Sequence, residues 1–423
     1  MTRQNKLTRR QSMQVVASSL LAGHTSVSFA ETPSSPQKVK KVAGIVTAYQ
    51  TGLHADVLLG KILEGWQQDG GPGPALQLSA MYVDQFPNGD LARPMAEKHN
   101  VPIFDSIEEA ITLGSNSVAV DGVISIGEHG NYPWNDKEQH LYPRRRFFKG
   151  ITDTFEKYGR VVPVFNDKHL GPEWTDAKWM YDRAQQLEVP FMAGSSLPVT
   201  FRAPEIAVPP GSEIQAALGV GYSGLDIYGS HTLECFQSLV ERRRGGETGV
   251  ASVQCVEGSD IWPIIDRQAD STSLLKAALD VTPHDPQRPV QDAKNATLFL
   301  FEYEDGFQGN VLMLPGYAQG ISAAVKLRDQ AAPLATRFEE RREPKHPHFA
   351  YLLKAIERFF HTGTAPYPVE RTLLTSGILD RILTSRHQGY PRLQTPELAI
   401  AYRPADYPFA PNPPLESDPT APL

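Results

Sequence analysis

The residues of this chain best suited to chemistry gather in four short stretches. In Phe165-Asn166-Asp167-Lys168-His169-Leu170, polar residues are set between apolar segments. A lysine held there presents its ammonium to a substrate hydroxyl, and partial desolvation moves its pKa towards neutrality, where it can act as acid or base. A second stretch, Gly224-Leu225-Asp226-Ile227-Tyr228-Gly229-Ser230-His231, ends in a histidine, the side chain that exchanges a proton near neutral pH. Asp226 is placed to orient it; the alternative is a histidine that only caps a helix. Asp84 follows the apolar run Leu76–Val83 and can accept a hydrogen bond from a ribose hydroxyl or start the next helix. The fourth stretch, Lys41 to His54, reads KVAGIVTAYQTGLH. Its strand, polar turn and helix stand where G-x-G-x-x-G would cradle a pyrophosphate, yet only Gly52 is in place, with Thr47 and Tyr49 at the other two positions.

The elements that must position these residues alternate. Val42–Val46, Leu76–Val83, Val101–Phe104, Asp121–Gly127, Val161–Phe165 and Pro190–Ala193 read as buried strands. Helical patterns at His54–Trp66, Ala92–His99, Phe147–Tyr158 and Asp176–Leu187 separate them, and Ser106 with Glu109 forms a capping box. This order implies right-handed crossovers and a parallel sheet, with ligands beyond the carboxyl ends of the strands, where Thr47, Asp84, Gly127 and Asn166 fall. After Pro198 the rhythm changes. Ile214–Gly221 and Gly249–Val256 bracket a helix from His231 to about Arg243, and Asp305-Gly306 marks a hairpin between Thr297–Tyr303 and Gly309–Leu314. A strand at Ala323–Leu327 and helices at Phe349–Phe360 and Pro368–Ser385 follow. The expected fold class is α/β: a Rossmann-type parallel sheet over residues 40–198, then an α+β domain with an open, mostly antiparallel sheet over 199–402. Residues 403–423 form a proline-rich tail.

Composition narrows the partners. The 423 residues carry a formal charge of −7, and the basic runs at Arg144–Arg146, Arg242–Arg244 and Arg341-Arg342 lie beside acids. They are expected to be solvated helix faces, and nucleic acid, which needs a concentrated basic surface, is not expected as a partner. Arg9-Arg10, the weakly apolar Val15–Ala22 and Ser28-Phe29-Ala30 have the layout of a Tat-type signal peptide over residues 1–30, with 31–39 as linker. Export to the periplasm, or otherwise out of the cytoplasm, is the expectation. No other segment approaches the roughly 18 apolar residues of a membrane span. Cys235 and Cys255 are expected as two buried free thiols.

With these motifs in order, the chain resembles the Gfo/Idh/MocA oxidoreductase family over roughly Lys40 to Ala401. Asn166-Asp167-Lys168-His169-Leu170 lies where that family has E-K-P-L, which implies a catalytic role for Lys168. Gly224 to Glu234 lies where it has G-x-x-x-D-x-G-x-H-x-x-D, which implies a catalytic His231. Gly229 and Glu234 match in place, while Asp226 falls one position from the family's aspartate. The resemblance implies NAD or NADP at Thr47, Tyr49, Gly52, Asp84, Gly127 and Glu128, and a sugar or polyol near Asn166, Asp167, His169 and Tyr228. Two departures stand out. Tyr49 replaces the glycine that lets backbone approach the pyrophosphate, and a long polar insertion from Glu128 to Tyr142 replaces the family's proline-asparagine turn. The expectation is a rebuilt nucleotide site, with a lost one as the alternative. Two other classes stay open: a cofactor-free carbohydrate-binding protein, and a metal-assisted hydrolase or lyase using Glu128, His129, Asp167, His169 and His231. An exposed face of the second sheet would invite pairing into a homo-oligomer.

Overall fold

Alternation of side chains along buried strands decides the architecture, because each strand must satisfy two faces. In a computed structural model of the protein, which describes residues 38–411, β1 (Lys40–Val46) sends Val42 and Val46 to one apolar core and Ala43 and Ile45 to another. It is joined by β2 (Leu76–Val83), β3 (Ile103–Phe104), β4 (Gly122–Ile126), β5 (Val164–Asp167) and β6 (Phe191–Gly194). The order is β3-β2-β1-β4-β5-β6 and every pairing is parallel. The crossovers contain α1 (His54–Glu64), α2 (Ala92–His99), α3 (Ile107–Thr112), α4 (Arg144–Tyr158) and α5 (Trp174–Gln186). Ser106 caps α3 as expected, its hydroxyl accepting the Glu109 N–H at 3.1 Å.

The second sheet has eight strands: β7 (Arg202–Ala203), β8 (Ile214–Gly221), β9 (Val250–Glu257), β10 (Thr297–Tyr303), β11 (Gln308–Met313), β12 (Ile321–Leu327), β13 (Leu334–Phe338) and β14 (Leu393–Gln394). Their order is β14-β9-β10-β11-β8-β12-β13-β7, antiparallel except between β11 and β8. Phe299, Val311 and Met313 face α6 (Ile227–Val240) and α10 (Val369–His387), which lie between the sheets. Leu298 and Leu312 face the other way, into a core with α7 (Ile261–Arg267) and α8 (Ser271–Asp280). The sequence reading gave no helix between Val256 and Thr297, so the far face it left exposed is in fact partly covered.

Helix α9 (Pro347–Thr362) returns to the first sheet. Leu352, Leu353, Ile356 and Phe360 join Leu58, Leu59, Ile124 and Phe165 in one core. Among the described residues no helix is long and apolar enough to cross a membrane. Cys235 on α6 and Cys255 on β9 are buried free thiols. The signal peptide, most of the linker and most of the tail lie outside the described residues.

Candidate active site

Strand β5 runs to Asp167, further than its apolar pattern indicates, so Lys168 is the first residue beyond the sheet edge. Lys168 turns into the left-handed region (φ +73°), and its N–H donates to Gly194 O at 3.1 Å. The Asn166 side-chain amide donates to the carbonyls of Asp167, Lys168 and His169 at 3.2, 3.4 and 3.3 Å, which holds the turn. Such a conformation in a non-glycine residue costs on the order of 1–3 kcal/mol and concentrates at functional sites. Gly194 must be glycine, because at φ +126° an added Cβ would sit 2.6 Å from Glu234 Oε1.

The turn brings the Lys168 ammonium onto His231 Nε2, from α6 in the other half of the molecule. Both residues are only 6% exposed. Burial first, and then the charge of Lys168, hold His231 well below its ordinary pKa. The imidazole is therefore neutral, and its Nε2 lone pair accepts a hydrogen bond from the ammonium. Its Nδ1 has no partner among the described residues.

These two side chains line a cavity of about 230 Å³ together with His54, Glu128, His129, Tyr228, His348 and Phe349. His54 Nδ1 bonds Asp167 Oδ2 at 2.6 Å, making a second pair on the same cavity, with the carboxylate fully buried and the histidine 13% exposed. Burial raises the Asp167 carboxyl to about 7, although Lys168 opposes the shift. Burial also holds His54 well below its ordinary value. Glu128 behaves differently: burial alone would raise it, but Lys168 and the guanidinium of Arg144 outweigh burial and hold it at about 2. Arg144 is ion-paired with Glu128, and both side chains are almost fully buried.

The dinucleotide edge is occupied by the chain itself. Residues leaving β4 bond to residues just after β2, so they pass over the end of β1, which lies between those strands. Asn131 N donates to Gln85 Oε1 at 2.9 Å, Gln85 Nε2 donates back to Asn131 O at 3.1 Å, and Thr47 Oγ1 donates to Glu128 O at 2.5 Å. Asp84 already accepts from Tyr82, Tyr132 and Arg146 at 2.7, 2.6 and 2.7 Å, so its carboxylate is held by the chain's own donors. Tyr49 neither covers nor lines this edge. Its ring is fully buried in the core beneath, with a hydroxyl that has no partner among the described residues. Gly127 makes room for Arg144, whose Cγ would lie 2.7 Å from an added Cβ. A pyrophosphate would normally rest here, at the helix N-terminus by the β1–β4 switch point. The cavity is also below the roughly 300–1,000 Å³ typical of pockets for drug-sized ligands. As arranged, these residues do not fit a dinucleotide.

Other expected site residues are placed differently from their expected roles. Asp226 accepts the backbone N–H of His140 at 2.9 Å, from the insertion, and does not reach His231. His169 faces away from the cavity, donating from Nδ1 to Gly171 O at 2.7 Å and accepting Arg144 at Nε2 at 3.1 Å. Gly52 closes the turn into α1, where its N–H donates to Asp56 at 2.8 Å. The basic runs are not uniformly solvated: Arg144 pairs with Glu128, and Arg243, 4% exposed, pairs with Glu247. Sequence reading missed His54, Glu340 and His348 as cavity residues. The local signal for His348 is Pro347, which starts α9. Among the described residues no group of three or more His, Cys, Asp or Glu side chains is placed to hold a metal ion.

No family model matches the chain, and no curated protein sequence does. Solved structures do match it. GenD2 from gentamicin A biosynthesis, in complex with NAD, is 10% identical over 85% of this chain and 98% of that one, with a TM-score of 0.52. Apo scyllo-inositol dehydrogenase from Lactobacillus casei is 10% identical over 85% and 99%, also at 0.52. Myo-inositol 2-dehydrogenase from Lactobacillus plantarum is 10% identical over 84% and 99%, again at 0.52. These likenesses establish the fold: a Rossmann-like parallel sheet followed by a mixed, mostly antiparallel sheet, as in Gfo/Idh/MocA-type oxidoreductases.

Proposed function

We propose that the protein is an exported enzyme of the oxidoreductase type that acts on a hydroxyl of a small sugar or polyol. One observation carries this reading: Lys168 and His231, from opposite halves of the molecule, meet at one cavity. The Lys168 ammonium would polarise the reacting oxygen, and the neutral His231 would take and return its proton. NAD or NADP is the hydride partner suggested by the solved neighbours that are named as dehydrogenases or as an NAD complex. To bind at the sheet edge it would need residues 128–132 to leave their bonds to Thr47 and Gln85. The crossing segment favours a second reading, a carbohydrate-binding protein without cofactor.

Calorimetry with NAD(H) and NADP(H) separates the two, supported by the absorbance and mass spectrum of whatever is released when protein purified from the cytoplasm is denatured. The redox reading expects a nicotinamide dinucleotide in the released fraction, or a measurable dissociation constant. Neither result, with a sugar still bound, would leave the second reading standing.

A further inference from the structure

Hydrogen can leave a sugar carbon as a hydride or as a proton, and the His54–Asp167 pair, on the same cavity as Lys168 and His231, suits the proton. His54 opens α1, at the place where the fold ordinarily presents bare backbone to a pyrophosphate. Here its ring lines the cavity, is held through Nδ1 by Asp167, and packs edge-on against Phe349 and His129 with centroids 4.9 and 5.1 Å away. With Nδ1 committed to the carboxylate, Nε2 is the nitrogen left for a ligand. A buried carboxylate fixing one imidazole nitrogen and freeing the other is the arrangement that makes histidine a directional base.

We propose that His54, positioned by Asp167, is a second catalytic base of this cavity, and that with Lys168 it isomerises small hydroxy-aldehyde and hydroxy-ketone sugars by proton transfer without net redox change. The proposal rests on reading the cavity as a small-sugar site and not on a bound dinucleotide. In the step, His54 Nε2 removes the proton from the carbon beside the carbonyl. The C–H electron pair becomes the C=C bond of an enediol, while the carbonyl π pair moves to oxygen, which takes a proton from the Lys168 ammonium. The neighbouring hydroxyl then gives its proton back to Lys168, with His231 as the relay. His54 returns its own proton to the former carbonyl carbon. One aldose has become one ketose, and both bases are restored.

Several groups face the His54–Asp167 pair and set its proton affinity: Lys168 from the β5 turn, Glu128 and His129 after β4, Arg144 on α4, His231 on α6 and His348 on α9. Asp167, raised to about 7, is the one that titrates near neutrality. Above that pH the pair holds one proton fewer, which leaves Nε2 free as a base.

The test incubates the protein in D₂O with aldoses and ketoses of three to six carbons and reads deuterium at the carbon beside the carbonyl by NMR. Wild type is expected to incorporate deuterium, with a rate that rises through pH 7. His54→Gln should lose the rate at least tenfold, and Asp167→Asn should lose the rise with pH. Calorimetry with the same sugars and a thermal melt of each variant identify any loss that comes from misfolding. If His54→Gln does not fold, the flattened pH profile of Asp167→Asn decides. No incorporation by wild type with any sugar, or an unchanged rate in His54→Gln, overturns the proposal. Hydride transfer to NAD(P) without deuterium exchange would sink this inference and keep the redox reading. Exchange without dinucleotide binding would do the reverse.

Discussion

Replacing Glu128 by glutamine tests the closed sheet edge directly. The change leaves the shape of the side chain and removes its charge from beside Arg144, where the two side chains are 3% and 1% exposed. Breaking one partner of such a buried pair typically costs about 3–5 kcal/mol, because the remaining ion is left uncompensated. The carboxyl itself gives an independent figure. Held at about 2 instead of its ordinary 4.5, it favours the ionised folded state by about 3 kcal/mol. Its folded pKa is depressed, so this contribution is present above pH 4.5 and is lost as pH falls through about 2. Urea denaturation at pH 7 should therefore show Glu128→Gln about 3 kcal/mol less stable than wild type, and the gap should narrow to about 1.5 kcal/mol at pH 3. A cycle with Arg144→Met should give a coupling of at least about 2 kcal/mol, because the double variant removes both charges. A loss below about 1 kcal/mol, or additive variants, would mean that the pair is solvated and that the edge is open to a ligand.

Two further outcomes are expected. Tyr49→Phe removes a buried hydroxyl that has no partner among the described residues, so thermal unfolding should show a gain of about 1 kcal/mol; a loss would reveal an unseen partner for that oxygen. Changing Arg9 and Arg10 to lysine should hold the precursor in the cytoplasm, and unchanged periplasmic recovery on fractionation would refute the Tat-type reading of the leader.

Local signals made much of this fold legible. Leu76–Val83 and Ala92–His99 have the bounds their patterns give, and Asp305-Gly306 turns its hairpin with Gly306 at φ +81°. Lys168 was legible because a strand end marks it, and His231 because a glycine-bounded loop leads into its helix. What escaped was set by distance in sequence. His348 reaches the cavity on a helix whose partners lie nearly 300 residues away, such as Leu58. Strand β13 is short and follows a polar loop, while α7 contains Pro263, which argues against a helix locally. Arg144 shared a basic run with Arg145 and Arg146, and only the three-dimensional path of Glu128 shows which of the three turns inward.

Helix α9 has a consequence for synthesis on the ribosome. Residues 40–194 contain every strand of the first sheet, yet the face formed by Val42, Leu58, Leu59 and Phe165 is finished only by Phe349 to Phe360. Those residues emerge about 150 positions after β6, which at roughly 5–20 residues per second is a delay of roughly 8–30 s. Throughout that interval the nascent first half presents a bare apolar surface, the kind of exposure that chaperones cover and that otherwise leads to aggregation. The same late closure ties residues 347–362 to the first sheet, so that sheet cannot peel away without α9. Limited proteolysis of the native protein should then find no stable fragment ending near residue 198.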